Sequence, residues 1–293
     1  MKVIIIAAGS AKRLGKHTEE LPKGLLNING KTILEKQISL FKQKNIDDIT
    51  IIVGPHKEKF DFADVKYVED QEYQKHDVLQ SLMVARDSIK DDVIITYSDI
   101  IFDDSVLDDV IKSKATIGLA IDLDWEKNYI NRTDHPKSEA DNVVIQNEKI
   151  IKIKKNILSI FDGQKLGEFI GIIKLLGSGS EILLQEFNRI EKNHSGSFHN
   201  APSFDMAYLT DMIQELIDNE YTISPIIING KWCEIDTFQD LQKTLTLFKW
   251  VFTLIFFFWY VVQVLSLVLF FSHYRIHLLP LFLPMLIVSL EKV

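Results

Sequence analysis

The sequence predicts an α/β fold: a mostly parallel sheet covered by helices on both faces, followed by a hydrophobic helical tail. Three observations carry this. Short runs rich in Ile and Val, at 2–6, 48–53 and 92–97, alternate with stretches whose apolar residues recur at helical spacing. The first run breaks abruptly into small residues, Ala7, Ala8, Gly9 and Ser10. Beyond residue 248 the composition changes to an almost uncharged apolar segment. Strands and helices joined by short connections give a Rossmann-like sheet, whose ligands sit beyond the carboxyl ends of the strands.

In order along the chain, 31–45 carries Leu34, Ile38 and Phe41 on one helical face, and 65–68 is a short strand. A helix is expected over 77–89, through Val78, Leu82, Ala85 and Ile89. Asp103 and Asp104 are placed to cap a helix over 105–111. Strands follow at 117–123 and 167–175, and 141–146 and 149–154 flank Asn147-Glu148 as a hairpin. Helices are expected over 178–192 and 203–219, and a last strand over 223–228.

The chain has 293 residues and a formal net charge of -8, and it divides into a domain at 1–248 and a tail at 249–293. Lys249, Arg275 and Lys292 against Glu291 give the tail +2, so the domain carries -10. That acidity excludes general nucleic-acid binding, since nothing offsets phosphate repulsion. The single cysteine, Cys233, excludes an intrachain disulfide and a cysteine-based zinc site, which fits a reducing cytosol. The chain opens directly in a strand, so no signal peptide is expected.

Small residues directly after a buried strand let backbone N–H groups approach a polyphosphate, and Arg13 and Lys23 bring cations to the same place. The pattern A-A-G-x-x-x-R-L (7–14) followed by P-K-G-L-L (22–26) resembles the signature of nucleotidyltransferases that activate phosphorylated sugars, sugar alcohols and amino alcohols. Ala11 stands where many members carry Gly. The resemblance implies that Ala7, Ala8, Gly9 and Ser10 wrap the nucleoside triphosphate while Arg13 and Lys23 act catalytically on its phosphates. No Walker A loop is present, because no Gly-Lys-Ser/Thr follows at the required spacing.

Asp99, after the strand 92–97, can hold a divalent cation over the phosphates, and Mg²⁺ needs only one or two protein carboxylates. Glu234-Ile235-Asp236-Thr237 resembles the late motif of the same family, which makes Asp236 the second Mg²⁺ ligand. On its own Asp99 is also readable as an N-cap or a loop residue, and Asp236 as a helix cap. Gln80 and Ser81 fall where related enzymes approach the nucleobase, and His76-Asp77 replaces a common Thr-Asn pair. His76 is also readable as a surface residue at a helix start, and no favoured mechanism requires it.

Glu139-Ala140-Asp141, Ile150 to Lys155 and Gly167 to Ile172 resemble the acceptor half of cytidylyltransferases for phosphocholine, 2-aminoethylphosphonate or inositol phosphate. The resemblance implies that Lys155 meets the acceptor phosphate and that Glu168, with Glu234, shapes its site. For an ammonium-bearing acceptor, Trp125, Tyr129, Glu139, Asp141 and Trp232 are the candidates. The implied reaction is CMP transfer from CTP to a small phosphorylated alcohol or phosphonate. Alternatives are a sugar-1-phosphate enzyme using UTP or dTTP, a guanylyltransferase acting on a molybdopterin, and a non-catalytic membrane-tethered nucleotide sensor.

Residues 250–271 are uncharged and almost wholly apolar, long enough to cross a hydrocarbon core of about 30 Å. Residues 276–290 are shorter and contain Pro280 and Pro284, against a second crossing. The tail thus reads as a membrane anchor for a cytoplasmic domain, as the remnant of a fused membrane domain, or as the product of a reading-frame change.

Overall fold

The computed structural model describes residues 1–9, 14 and 21–248. The Ile- and Val-rich runs form β1 (Lys2–Ala7), β4 (Ile49–Val53) and β6 (Val93–Tyr97), and β5 (Lys66–Glu69) extends them. β1 lies between β4 and β6, and all these pairings are parallel. Their carboxyl ends therefore share one edge, which β1 reaches at Ala7 and β6 at Tyr97. A minor antiparallel pair, β2 (Asn27–Ile28) and β3 (Lys31–Thr32), precedes the first helix.

β1 shows why both faces need cover. Ile4 and Ile6 pack into one core, with α2 (Val78–Val84), α4 (Gly177–Asn193) and α5 (Leu209–Asp218). Val3, Ile5 and Ala7 pack into the other, with α1 (Ile33–Gln43) and α3 (Asp104–Lys112). A strand buried on both sides cannot alternate polar and apolar residues, hence the unbroken apolar run.

β11 (Lys165–Leu175) joins two halves of the sheet. Its residues Ile172–Leu175 run antiparallel to β6, and Lys165–Glu168 run antiparallel to β9 (Asp141–Gln146). β9 pairs with β10 (Lys149–Lys155) through a hairpin in which Asn147 and Glu148 both have positive φ, 50° and 59°. Two such residues are what a two-residue type I′ turn requires. β8 (Ile117–Asp122) lies against β11, and β12 (Ser224–Ile227) runs parallel to β8. Seven of the nine strands thus share one direction, while β10 and β11 oppose it.

Two expected helices differ in extent. The helix expected over 77–89 ends at Val84 and passes into a 3-10 turn at Arg86–Ser88. The helix expected over 203–219 begins only at Leu209. Before it, the carbonyls of Asp205 and Ala207 accept the Asp77 and Leu79 amides, satisfying the start of α2 rather than extending α5. The helix expected over 105–111 forms, with Asp103 accepting from the Val106 amide at 3.3 Å.

Two compact units divide the chain, Met1–Thr244 and Leu245–Val293. The last described helix, α6, is Phe238–Leu247. The membrane span expected over 250–271 lies outside the described residues, among which no helix is long and apolar enough to cross a membrane.

Candidate active site

A short antiparallel ribbon makes the centre of the site. β7 (Ile100–Phe102) pairs with β13 (Trp232–Glu234), so that Glu234 faces Ile100 and the Ile235 amide donates to the Asp99 carbonyl at 2.9 Å. This register sets Asp99 and Asp236 side by side although 137 positions separate their numbers. Asp236 is then fixed by the start of α6, where Asp240 accepts from the Asp236 amide at 3.1 Å and the Thr237 amide at 2.9 Å.

Lys23 arrives from the 3-10 turn Lys23–Leu25 and donates to both acids, to Asp99 Oδ2 at 2.9 Å and to Asp236 Oδ1. Burial alone would lower the ammonium pKa. The two carboxylates more than offset it and raise the value, so Lys23 stays charged.

Around this trio lies a cleft of 460 Å³ at the carboxyl edge of β1 and β6. Ala7, Ala8 and Gly9 form part of its wall. A Cβ at Gly9 would meet nothing within 4 Å, so the loop backbone looks onto open space there. The described lining includes Asp77, Asp99, Glu139, Asp141, Glu234 and Asp236, against only Lys23 and Lys155. Such a surface would repel a triphosphate unless cations intervene.

Burial raises Glu234 to about 7, with Asp236 and Asp99 adding to the effect. Burial likewise raises Asp141 to about 6, partly countered by Lys155. Lys155 is held up by Glu139, 3.0 Å away, and by Asp141 against the effect of its own burial.

The expected residues separate into three groups. The cleft is lined by Ala7, Ala8, Gly9, Lys23, Ser81, Asp99, Lys155, Glu234 and Asp236. Ser10 and Arg13 lie outside the described residues. Gln80 and Glu168 are not in the cleft lining. Gln80 borders a neighbouring hollow with Glu69 and Arg86, because successive helical positions point about 100° apart and Ser81 takes the inward one. Glu168 is buried behind the cleft, accepting from the Tyr129 hydroxyl, in a 30 Å³ cavity that shares Tyr97, Glu139, Asp141 and Glu234 with it.

Of the aromatic candidates, Trp125 and Tyr129 form their own small cluster with Ala140, and Trp232 donates to Asp122 at 2.8 Å. His76, just before α2, is partly buried in the cleft lining and lies 3.1 Å from the buried Asp70, which also accepts from Ser81 Oγ at 2.7 Å.

The residue that sequence reasoning missed is His135, buried at the cleft floor with Nδ1 3.0 Å from Asp236 Oδ2. Its segment has no hydrophobic periodicity to read. The donor set fits a divalent cation, since Asp236 is 2% exposed and the His135 Nδ1 beside it makes no hydrogen bond.

The fold is that of the nucleotidyltransferases to which the chain is similar. Residues 3–121 match the MobA-like NTP transferase domain. The chain is similar to CTP:phosphoglutamine cytidylyltransferase of Campylobacter jejuni, 24% identical over 255 residues that cover 83% of this chain and 98% of the relative. Choline-phosphate cytidylyltransferase of Streptococcus pneumoniae is 36% identical over 117 residues, 39% of this chain and about half, 51%, of that protein. The solved structure of CTP:phosphocholine cytidylyltransferase from Streptococcus pneumoniae superposes with a TM-score of 0.62, at 22% identity over 84% of this chain and 98% of that one. The resemblance read from the sequence is thereby borne out.

Proposed function

We propose that the chain transfers CMP from CTP to a small phosphorylated acceptor and releases pyrophosphate. The observation that carries this is Lys23 bridging Asp99 and Asp236 at the carboxyl edge of the sheet. The choice of CTP rests on the cytidylyltransferases to which the chain is similar.

An acceptor phosphate oxygen attacks the α-phosphorus in line; the new P–O bond forms as the bond to the β-phosphate oxygen breaks, and pyrophosphate takes up that bond's electrons. Asp99 and Asp236 would hold Mg²⁺, which when bound neutralises charge on the phosphates. Lys23 shifts from the carboxylates onto the triphosphate, and Arg13 joins it there. Ala7, Ala8, Gly9 and Ser10 offer backbone groups to the phosphates, and Ser81, with Gln80 behind it, borders the base. Lys155 meets the acceptor phosphate beside Glu139 and Asp141, whose negative charge suits an acceptor that also carries an amine. Glu168 and Glu234 shape that end of the site from beneath. Catalysis is positioning and charge compensation.

The apolar residues 249–293 form a second unit in this reading, with 250–271 as its membrane-associated part.

The test is pyrophosphate release by the full chain with each NTP, Mg²⁺ and a panel of phosphocholine, 2-aminoethylphosphonate, inositol 1-phosphate and glucose 1-phosphate. Release with CTP and an alcohol phosphate or phosphonate supports the reading. Release only with glucose 1-phosphate and UTP or dTTP replaces it with the sugar-phosphate one. CTP binding with no release across the panel replaces it with a non-catalytic nucleotide binder.

A further inference from the structure

The cleft floor holds a nitrogen that the transfer chemistry above does not use. His135 is 5% exposed, and its Nδ1 makes no hydrogen bond although Asp236 Oδ2 is only 3.0 Å away. A buried polar atom without a hydrogen bond costs about 1–3 kcal/mol, a cost that a cation bound between the nitrogen and the carboxylate would offset. Asp236 accepts from Lys23 through Oδ1, and its Oδ2 is the oxygen that faces the ring nitrogen. One donor atom each from His135, Glu234 and Asp236 lies within 4.8 Å of the others. Adjacent donors around an octahedral ion with bonds of about 2.1 Å stand about 3 Å apart, the separation seen between Nδ1 and Oδ2.

The two donors share one support. The Thr133 and Asp134 amides donate to Gln239 Oε1 at 2.9 and 3.3 Å, and Arg132 Nε donates to Asp240 Oδ1 at 2.6 Å. Asp240 also accepts from the Asp236 amide through its other oxygen. The start of α6 therefore fixes both the segment that delivers His135 and the backbone of Asp236, as a preorganised ligand pair demands.

We propose that His135 Nδ1 is a ligand of the divalent cation held by Asp236. The site then has mixed nitrogen and oxygen character and favours Mn²⁺ over Mg²⁺, because imidazole suits transition ions while Mg²⁺ prefers oxygen alone. This rests on the reading that Asp99 and Asp236 bind a divalent cation with the nucleotide.

The experiment is electron spin-echo envelope modulation on the full chain with Mn²⁺ and CTP, alongside calorimetric Mn²⁺ and Mg²⁺ titrations of the wild type, His135→Gln, Asp99→Asn and Asp236→Asn. The wild type is expected to show coupling from a directly bound ¹⁴N, and His135→Gln to lose it and weaken Mn²⁺ binding on the order of 10-fold or more, with Mg²⁺ less affected. Bound Mn²⁺ without that coupling in the wild type overturns the proposal without needing any variant to fold. If the aspartate variants still abolish Mn²⁺ binding in that case, the cation reading of Asp99 and Asp236 stands and only the His135 ligand fails. If Mn²⁺ binds equally in all four proteins, both fail.

Discussion

Lys23 and Asp236 are joined across 213 positions of sequence by an ion pair at the floor of the cleft. The lysine stands between the two carboxylates that the proposed reaction assigns to a cation, offsetting part of their charge, and in that reaction the same side chain meets the phosphates once nucleotide binds.

Lys23→Ala is predicted to lower turnover roughly 100- to 1000-fold, as loss of a transition-state charge partner does. It also removes the ammonium that pairs with the buried Asp236 carboxylate, which lowers stability. Thermal melts should therefore show a lower Tm that recovers when millimolar Mn²⁺ is added. An unchanged Tm with near-normal turnover would remove Lys23 from the site.

Arg132 is nearly enclosed and pairs with Asp240 at 2.6 Å and Glu234 at 3.4 Å. Arg132→Ala is predicted to cost about 3–5 kcal/mol, because Asp240 is left buried without its counter-charge. Denaturant unfolding of Arg132→Ala, Asp240→Asn and the double variant should give strongly non-additive losses. Additive losses would mean that the pair does not couple.

The Glu168 carboxyl is raised to about 8, mainly by burial, with the Tyr129 hydrogen bond only partly opposing it. A carboxyl whose folded pKa lies above its unfolded value of roughly 4.3 holds its proton more tightly when folded. Its contribution to stability is fully present below the unfolded pKa and is lost as pH rises through about 8. Glu168→Gln removes this titration while leaving an oxygen for Tyr129. Its Tm relative to the wild type should be higher at pH 9 than at pH 6, and a pH-independent difference would contradict the assignment.

Gly171 has φ of +83°, and a Cβ there would lie 2.6 Å from Tyr97 Cδ2. Tyr97 borders both the cleft and the cavity of Glu168. Gly171→Ala is predicted to destabilise the chain by about 1–3 kcal/mol through backbone strain and the displaced ring, read by denaturant titration.

The parts of the site legible in the sequence are those set by local pattern. A buried strand that breaks into small residues announced Ala7, Ala8 and Gly9, and the end of a second strand announced Asp99. The turn between β9 and β10 was equally local. What could not be read depends on distant partners. His135 is placed by contacts of its segment with Gln239 and Asp240, more than 100 positions away. The late start of α5 follows from backbone groups given to α2. Gln80 and Ser81 are neighbours in sequence, and only the helix's orientation decides which one faces the cleft.

The most direct test of the account is ³¹P NMR of the full chain with CTP, Mg²⁺ and phosphocholine or 2-aminoethylphosphonate, compared with Asp99→Asn. The account predicts that resonances of a CMP-acceptor diphosphate linkage and of pyrophosphate rise together in the wild type and fall at least 100-fold in rate in the variant. Pyrophosphate or CMP appearing without the linked product, or equal rates in both proteins, would contradict transfer at this site.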